Sequence, residues 1–162
     1  MAYASAQDLL NRYDSRRIGD LAGDSGVRLT EAQILTDSKV AAALDDASGK
    51  IMSAIKRANR YTDSELNALT GVSLAYLKRI TCDMAFAYLN MRRGYGAAEV
   101  EAQAPGYRTA LDDLNRLGNG EMIFDVESKR EAGNPSYTTK NYTVNGNSMM
   151  SSETAKNLFG SR

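Results

Sequence analysis

Val40, Leu44, Ala47, Ile51, Ile55 and Ala58 recur at steps of four, three, four, four and three residues. At about 100° per residue, that spacing gathers them on one face of a single helix, and such a face must be buried. Past Val126 the periodicity ends, and Gly, Asn, Ser, Thr and Tyr take over. From Ala132 to Asn157 there is no Leu, Ile or Phe. A segment this poor in core formers does not order alone. The sequence therefore divides into a helical body, residues 1–120, and an extended C-terminal arm, residues 121–162. That division points to an assembly component before it points to an enzyme.

The charges narrow the choice. The 162 residues carry twenty basic and twenty acidic side chains, fifteen of each up to Gly120 and five of each beyond it. This is neither the footprint of a protein that coats nucleic acid nor that of a polybasic membrane binder. There is no His, which removes the commonest general base and the commonest metal ligand together. Cys82 is the single cysteine, so no intrachain disulfide can form. No enzyme activity and no cofactor or metal are expected. The opening Met1-Ala2-Tyr3-Ala4-Ser5 lacks a basic stretch followed by an apolar run, so no signal peptide is expected either. No segment approaches the roughly eighteen apolar residues of a membrane span.

Local signals place the elements. Ser5 with Asp8 forms a variant capping box, opening a short helix with Leu9, Leu10 and Tyr13 on its face. Asp14-Ser15 starts a second helix through Ile18 and Leu21. Ala22 to Leu35 reads as a loop around Gly23-Asp24-Ser25-Gly26. Asp20, Asp24 and Glu31 there do not follow the alternating oxygen pattern of a calcium loop, and a solvated loop is the expectation. The striped helix follows, capped by Thr36 or Asp37. Thr62-Asp63-Ser64-Glu65 is a second capping box, leading to a short helix with Leu66 and Leu69 that Gly71 breaks. Ser73 then starts a second long helix carrying Leu74, Leu77, Met84, Tyr88 and Met91, with Ile80 and Ala85 widening its stripe. Tyr95 to Ala104 reads as a connector, and Pro105 suits the first turn of a helix faced by Tyr107, Ala110, Leu111, Leu114 and Leu117. Met122 to Val126 is a candidate strand. The expected fold is mainly α: a small helical bundle with two long amphipathic helices and a short strand-containing extended C-terminal tail.

Several constellations suggest chemistry or binding. Residues 64–80 resemble a DNA-binding helix-turn-helix, with Leu66, Gly71, Val72, Leu77 and Ile80 at its apolar and turn positions. Asn67 departs from the pattern, and Lys78 and Arg79 are the only central cations, few for a DNA reader. Cys82-Asp83 lacks an activating base and reads as a small buried residue beside an acid. Asp45-Asp46 and Asp112-Asp113 point about 100° apart within each pair, so they read as solvated faces rather than dyads. Arg92 and Arg93 with Tyr95 either cap a helix end or face a channel or neighbour. In the arm, Tyr137, Tyr142, Met149, Met150, Leu158 and Phe159 are the candidate partner-binding anchors, aromatic or adaptable apolar side chains of the kind enriched at interfaces.

Taken in order, these segments resemble the phage Mu-like head–tail adaptor family. The resemblance rests on Tyr3 to Tyr13, on Asp20-Leu21-Ala22-Gly23-Asp24 with Lys39 to Ser48, on Leu77 to Ala85, and on Tyr107 to Leu114 with Gly118-Asn119-Gly120. It covers roughly Met1 to Phe124, with the tail beyond Val126 outside it. Between Arg60 and Val72, where relatives tend to carry a proline-containing stretch, this chain has its capped helix instead. The resemblance implies a structural virion protein of the neck, made in the host cytoplasm. Such adaptors form a homo-oligomeric ring, commonly of twelve subunits, beneath the portal protein and join it to a stopper or tail-terminator protein. DNA is implied only as the genome passing through the channel, with no membrane partner. The alternative left by the residues is a small helix-turn-helix regulator using residues 64–80.

Overall fold

The computed structural model describes residues 2–24, 26–59, 61–121 and Phe124. These residues form eight helices and no strand. In chain order they are α1 (Ala6–Arg12), α2 (Ser15–Ala22), α3 (Glu31–Ile34), α4 (Ser38–Ala58), α5 (Asp63–Asn67), α6 (Gly71–Arg92), α7 (Ala97–Gln103) and α8 (Gly106–Gly118). The expected mainly α fold is what forms. The candidate strand has its other residues outside the described set, and Phe124 alone can be followed.

Local chemistry sets the helix starts. Ser5 and Asp8 bond reciprocally at the head of α1, and Thr62 and Glu65 do so at α5. Asp14 caps α2, and the Asp37 carboxylate accepts from the Lys39 and Val40 amides to cap α4. Two short helices fall where loops were expected. Thr30 and Gln33 make a further reciprocal box that starts α3. Glu99 reaches back to the Gly96 amide, 2.9 Å away, and starts α7. The second long helix begins at Gly71, two residues before Ser73.

Helices α4, α6 and α8 pack on one another, and α1, α2 and α7 close around α6. On α4, Val40, Leu44, Ala47, Ile51 and Ile55 are buried as the stripe requires, with Ala43, Ser48 and Ala54 widening it. Ala58 is only half-buried. On α6 the apolar stripe becomes the whole circumference: every residue from Ile80 to Asn90 is buried except Tyr88, which is half-buried. Neighbours on all sides explain this, since a helix enclosed by five others has no solvent face to keep polar. Met91, beyond that collar, is exposed rather than part of the stripe. Fully buried Leu, Ile, Met and Phe side chains each contribute about 1.5–3 kcal/mol, so Ile51, Ile55, Leu77, Ile80, Met84, Phe86 and Leu89 dominate the stabilisation.

Among the described residues, Asn90 Oδ1 and Arg79 Nε are buried side-chain atoms without a hydrogen-bond partner, while other polar groups in this core are satisfied locally. The Thr81 hydroxyl donates to the Leu77 carbonyl, and Asn90 Nδ2 donates to the Phe86 carbonyl, each 2.8 Å away. Ser48 donates to the Leu44 carbonyl and accepts from the Tyr3 amide, which anchors the N-terminal segment on α4. The Tyr13 ring stacks on Phe86 at 4.0 Å. Phe124 is buried between the Tyr61 and Tyr76 rings, and its backbone N–H donates to the Tyr61 hydroxyl. The helical body thus extends past Gly120 to include this side chain.

Candidate functional site

An open groove of about 440 Å³ runs between α1 and α6. Asp8, Asn11 and Arg12 line it from α1, and Lys78, Arg79 and Cys82 from α6. The capping box fixes the start of α1, and one helical turn then separates Asp8 from Arg12 on the same face.

Each cation is held by a carboxylate. Arg12 grips both oxygens of Asp83, Nη2 lying 2.9 Å from Oδ2 and Nε close on Oδ1. The Tyr13 hydroxyl donates to the same Oδ1 at 2.6 Å. Arg79 Nη2 lies 2.8 Å from Asp113 Oδ2, which also accepts from the Tyr76 hydroxyl at 2.7 Å. The Arg79 guanidinium stacks over the Tyr76 ring at 4.4 Å. Lys78 Nζ donates to Asp8 Oδ1 at 3.0 Å. Two Arg–Asp–Tyr clusters therefore stand about one turn apart along α6. Their carboxylates are almost fully buried, while Arg12, Lys78 and Arg79 remain about one-third exposed. Asp113 is thus a buried structural acid rather than part of a solvated face.

The field of this network is visible in its acids. Burial raises the Asp8 carboxyl, but the Ser5 backbone and hydroxyl bonds and the Lys78 ammonium outweigh it, leaving Asp8 below its ordinary value. Burial, then the hydrogen bond to Asp83 and its charge, raise the Tyr13 hydroxyl well above a normal tyrosine. Burial chiefly, with the charges of Asp8 and Asp83 adding, pushes the Cys82 thiol up to about 12. Cys82 is therefore a protonated, weakly nucleophilic group at neutral pH.

A second cluster forms at the far end of α6. Gly94, at φ +83°, takes the left-handed conformation just beyond that end. Arg92 Nη1 donates to the Leu21 carbonyl at 2.9 Å and Nη2 to Asp24. Arg93 donates to the carbonyls of Asp20, Leu21 and Gly23. These are the unpaired carbonyls at the C-terminal end of α2, so the two arginines cap a helix other than their own. Lys39 bonds Asp24 from α4, and its hydrogen bond, followed by that of Arg92, holds the Asp24 carboxyl below its ordinary value. Tyr95 is exposed nearby in the chain. Asp20 is occupied by Arg28, and among the described residues no three His, Cys, Asp or Glu side chains converge as a metal site.

The arm anchors Tyr137, Tyr142, Met149, Met150, Leu158 and Phe159 lie outside the described residues. The helix-turn-helix-like stretch does form two helices, α5 and α6. However, Leu77 and Ile80 point into the core, and Lys78 and Arg79 are engaged by Asp8 and Asp113. Sequence reasoning missed the two Arg–Asp–Tyr clusters, whose members lie up to 71 residues apart.

The fold and its polar network define a small helical protein whose buried Arg–Asp–Tyr clusters join helix to helix. The family model described as Bacteriophage Mu, Gp36 matches residues 3–141, and the chain belongs to that phage family. The match reaches past Val126, so the family model covers the first part of the arm, up to residue 141. No curated protein matches the chain. Among the described residues, no helix is long and apolar enough to cross a membrane.

Proposed function

We propose that this protein is a structural component of the phage neck, a head–tail adaptor rather than an enzyme. Copies of the helical body form a ring beneath the portal protein, and the arm binds the portal or a neighbouring subunit. A stopper or tail-terminator protein meets the ring's other side, and the genome passes through it. The observation that carries this reading is a family match running through the body and into the arm. The body is consistent with it, because its conspicuous polar clusters cap and join helices. Tyr137, Tyr142, Met149, Met150, Leu158 and Phe159 serve as the arm's anchors.

The regulator reading has one observation in its favour, the pair α5 and α6 at the motif's positions. It is the weaker reading, because Lys78 and Arg79 are already engaged by Asp8 and Asp113 where a DNA reader needs free cations for phosphates. Co-assembly with the purified portal protein tests the first reading, using the full chain and a chain truncated after Glu131. The full chain should bind, and the truncated chain should keep its helical circular dichroism but lose binding. Undiminished binding by the truncated chain would remove the arm's role. A salt titration in a gel-shift assay tests the second: sequence-dependent, salt-sensitive binding would favour a regulator.

A further inference from the structure

We infer that Phe124 is the positioning residue of the arm: clamped by Tyr61 and Tyr76, it fixes the point and direction at which the arm leaves the body, and the arm meets the portal from that root. The inference rests on the reading of the arm as the partner-binding element.

The route into the clamp is set by the end of α8. Gly120 takes the left-handed conformation at φ +85°, its N–H donates to the Leu117 carbonyl, and the Glu121 N–H donates to the Arg116 carbonyl. That paired pattern is a Schellman turn, which closes the helix and turns the chain aside. The Glu121 carboxylate then accepts from Arg116 Nε at 2.7 Å, which holds the first residue of the arm on the helix it leaves. Three residues on, Phe124 is 2% exposed.

The clamp holds more than a side chain. The Tyr61 ring meets the Phe124 ring edge-on at 5.5 Å, and the Tyr76 ring does so at 6.4 Å. The Tyr61 hydroxyl accepts from the Phe124 N–H at 3.2 Å and donates to the Phe124 carbonyl at 3.4 Å. An apolar plug needs only the ring; bonding both backbone groups of one residue also sets the direction of the chain that follows. The clamp is itself firmly mounted. Tyr61 stands between Asn59, the left-handed C-cap of α4, and Thr62, the N-cap of α5. Tyr76 bonds the buried Asp113 and stacks with the Arg79 guanidinium. A segment presented from a fixed root loses less freedom on binding than one presented from a loose root. Tyr137, the first of the arm anchors, lies thirteen residues beyond Phe124. Freeing Phe124 moves the root back only to Glu121, and that slack alone lowers the effective concentration of Tyr137 by less than about twofold, from its −3/2 power dependence on tether length. A larger loss of binding therefore measures position.

Portal binding by the full chain separates position from slack. The Kd for the purified portal protein is measured for the wild type, for Tyr61→Phe, Phe124→Ala and Phe124→Leu, and for a chain with four Gly and Ser residues inserted after Glu131. Tyr61→Phe keeps the ring and removes the bonds to the Phe124 backbone, so its helical circular dichroism should match the wild type. Tyr61→Phe and Phe124→Ala should bind at least about fivefold more weakly, while Phe124→Leu, which refills the clamp, and the insertion should stay within about twofold of the wild type. Chymotrypsin reads the clamp without the portal: cleavage after Phe124 should be at least about tenfold faster in Tyr61→Phe than in the wild type. Equal cleavage rates would overturn the clamp. Binding by Tyr61→Phe and Phe124→Ala within about twofold of the wild type would overturn the positioning role while the arm reading stands. An insertion as damaging as Phe124→Ala would also overturn it, since slack would then account for the loss. A wild type that does not bind the portal, or undiminished binding after truncation at Glu131, would overturn the arm reading itself.

Discussion

Arg12 and Asp83, 71 residues apart in the chain, form a two-point ion pair that ties the end of α1 to the middle of α6. Asp83 is 2% exposed and also accepts from Tyr13. Removing one partner of such a pair leaves a desolvated charge with nothing to balance it, which costs about 3–5 kcal/mol. Arg12→Ala should therefore lower the urea midpoint sharply. Arg12→Met combined with Asp83→Leu should lose much less. A double-variant loss equal to the sum of the Arg12→Met and Asp83→Leu losses would mean the pair is not coupled.

The start of α8 sits directly on this carboxylate. A Cβ at Gly106 would lie 2.6 Å from Asp83 Cγ and Oδ2. Gly106→Ala should destabilise the protein by pushing Asp83 off Arg12. Gly49, in the exposed middle of α4, has open space around its Cα. Gly49→Ala should raise stability by about 0.5–1 kcal/mol through helix propensity. Thermal melts of the two variants should shift in opposite directions.

Cys82 offers a pH-dependent readout of the same region. Its thiol is pushed up to about 12, so in the folded protein almost none is thiolate at pH 8. Labelling by a thiol-specific disulfide reagent should be at least about a hundredfold slower in native buffer than in denaturant. The rate should stay low as pH rises from 7 to 9, where an ordinary thiol ionises. Fast native labelling would place Cys82 outside the packed wall between α1 and α6.

Arg92 and Arg93 bond the carbonyls that α2 leaves unpaired. Arg93→Ala should free the segment from Asp20 to Gly23, with little effect on α4 or α8. Hydrogen exchange should rise in the α2–α3 connection and remain slow in the middle of α6. If exchange there is unchanged, the side chains do not hold that segment.

What was legible in the sequence was what is local. The capping boxes at Ser5 and Thr62, the cap at Asp37 and the stripe of α4 each depend on residues within a few positions, and all formed. The box at Thr30–Gln33 and the bond from the Gly96 amide to Glu99 were equally local, but short segments among turn formers masked α3 and α7. Enclosure of α6 depends on five neighbours, so its periodicity could not show that nearly every side from Ile80 to Asn90 is buried. Asp112 and Asp113 look alike in sequence, yet Asp113 is buried because Tyr76 and Arg79 meet it from α6. The reach of the family into residues 127–141 left no periodic trace, since that stretch carries no core pattern.

The most direct measurement is electron cryo-microscopy of the tailed particle whose genome encodes this chain, with symmetry-aware reconstruction of the neck. The α4–α6–α8 body should fit a symmetric ring of density between the portal and the tail, with density leading from Phe124 towards the portal or an adjacent subunit. Particles with a complete neck that lack this protein, or that hold it elsewhere, would contradict the adaptor assignment.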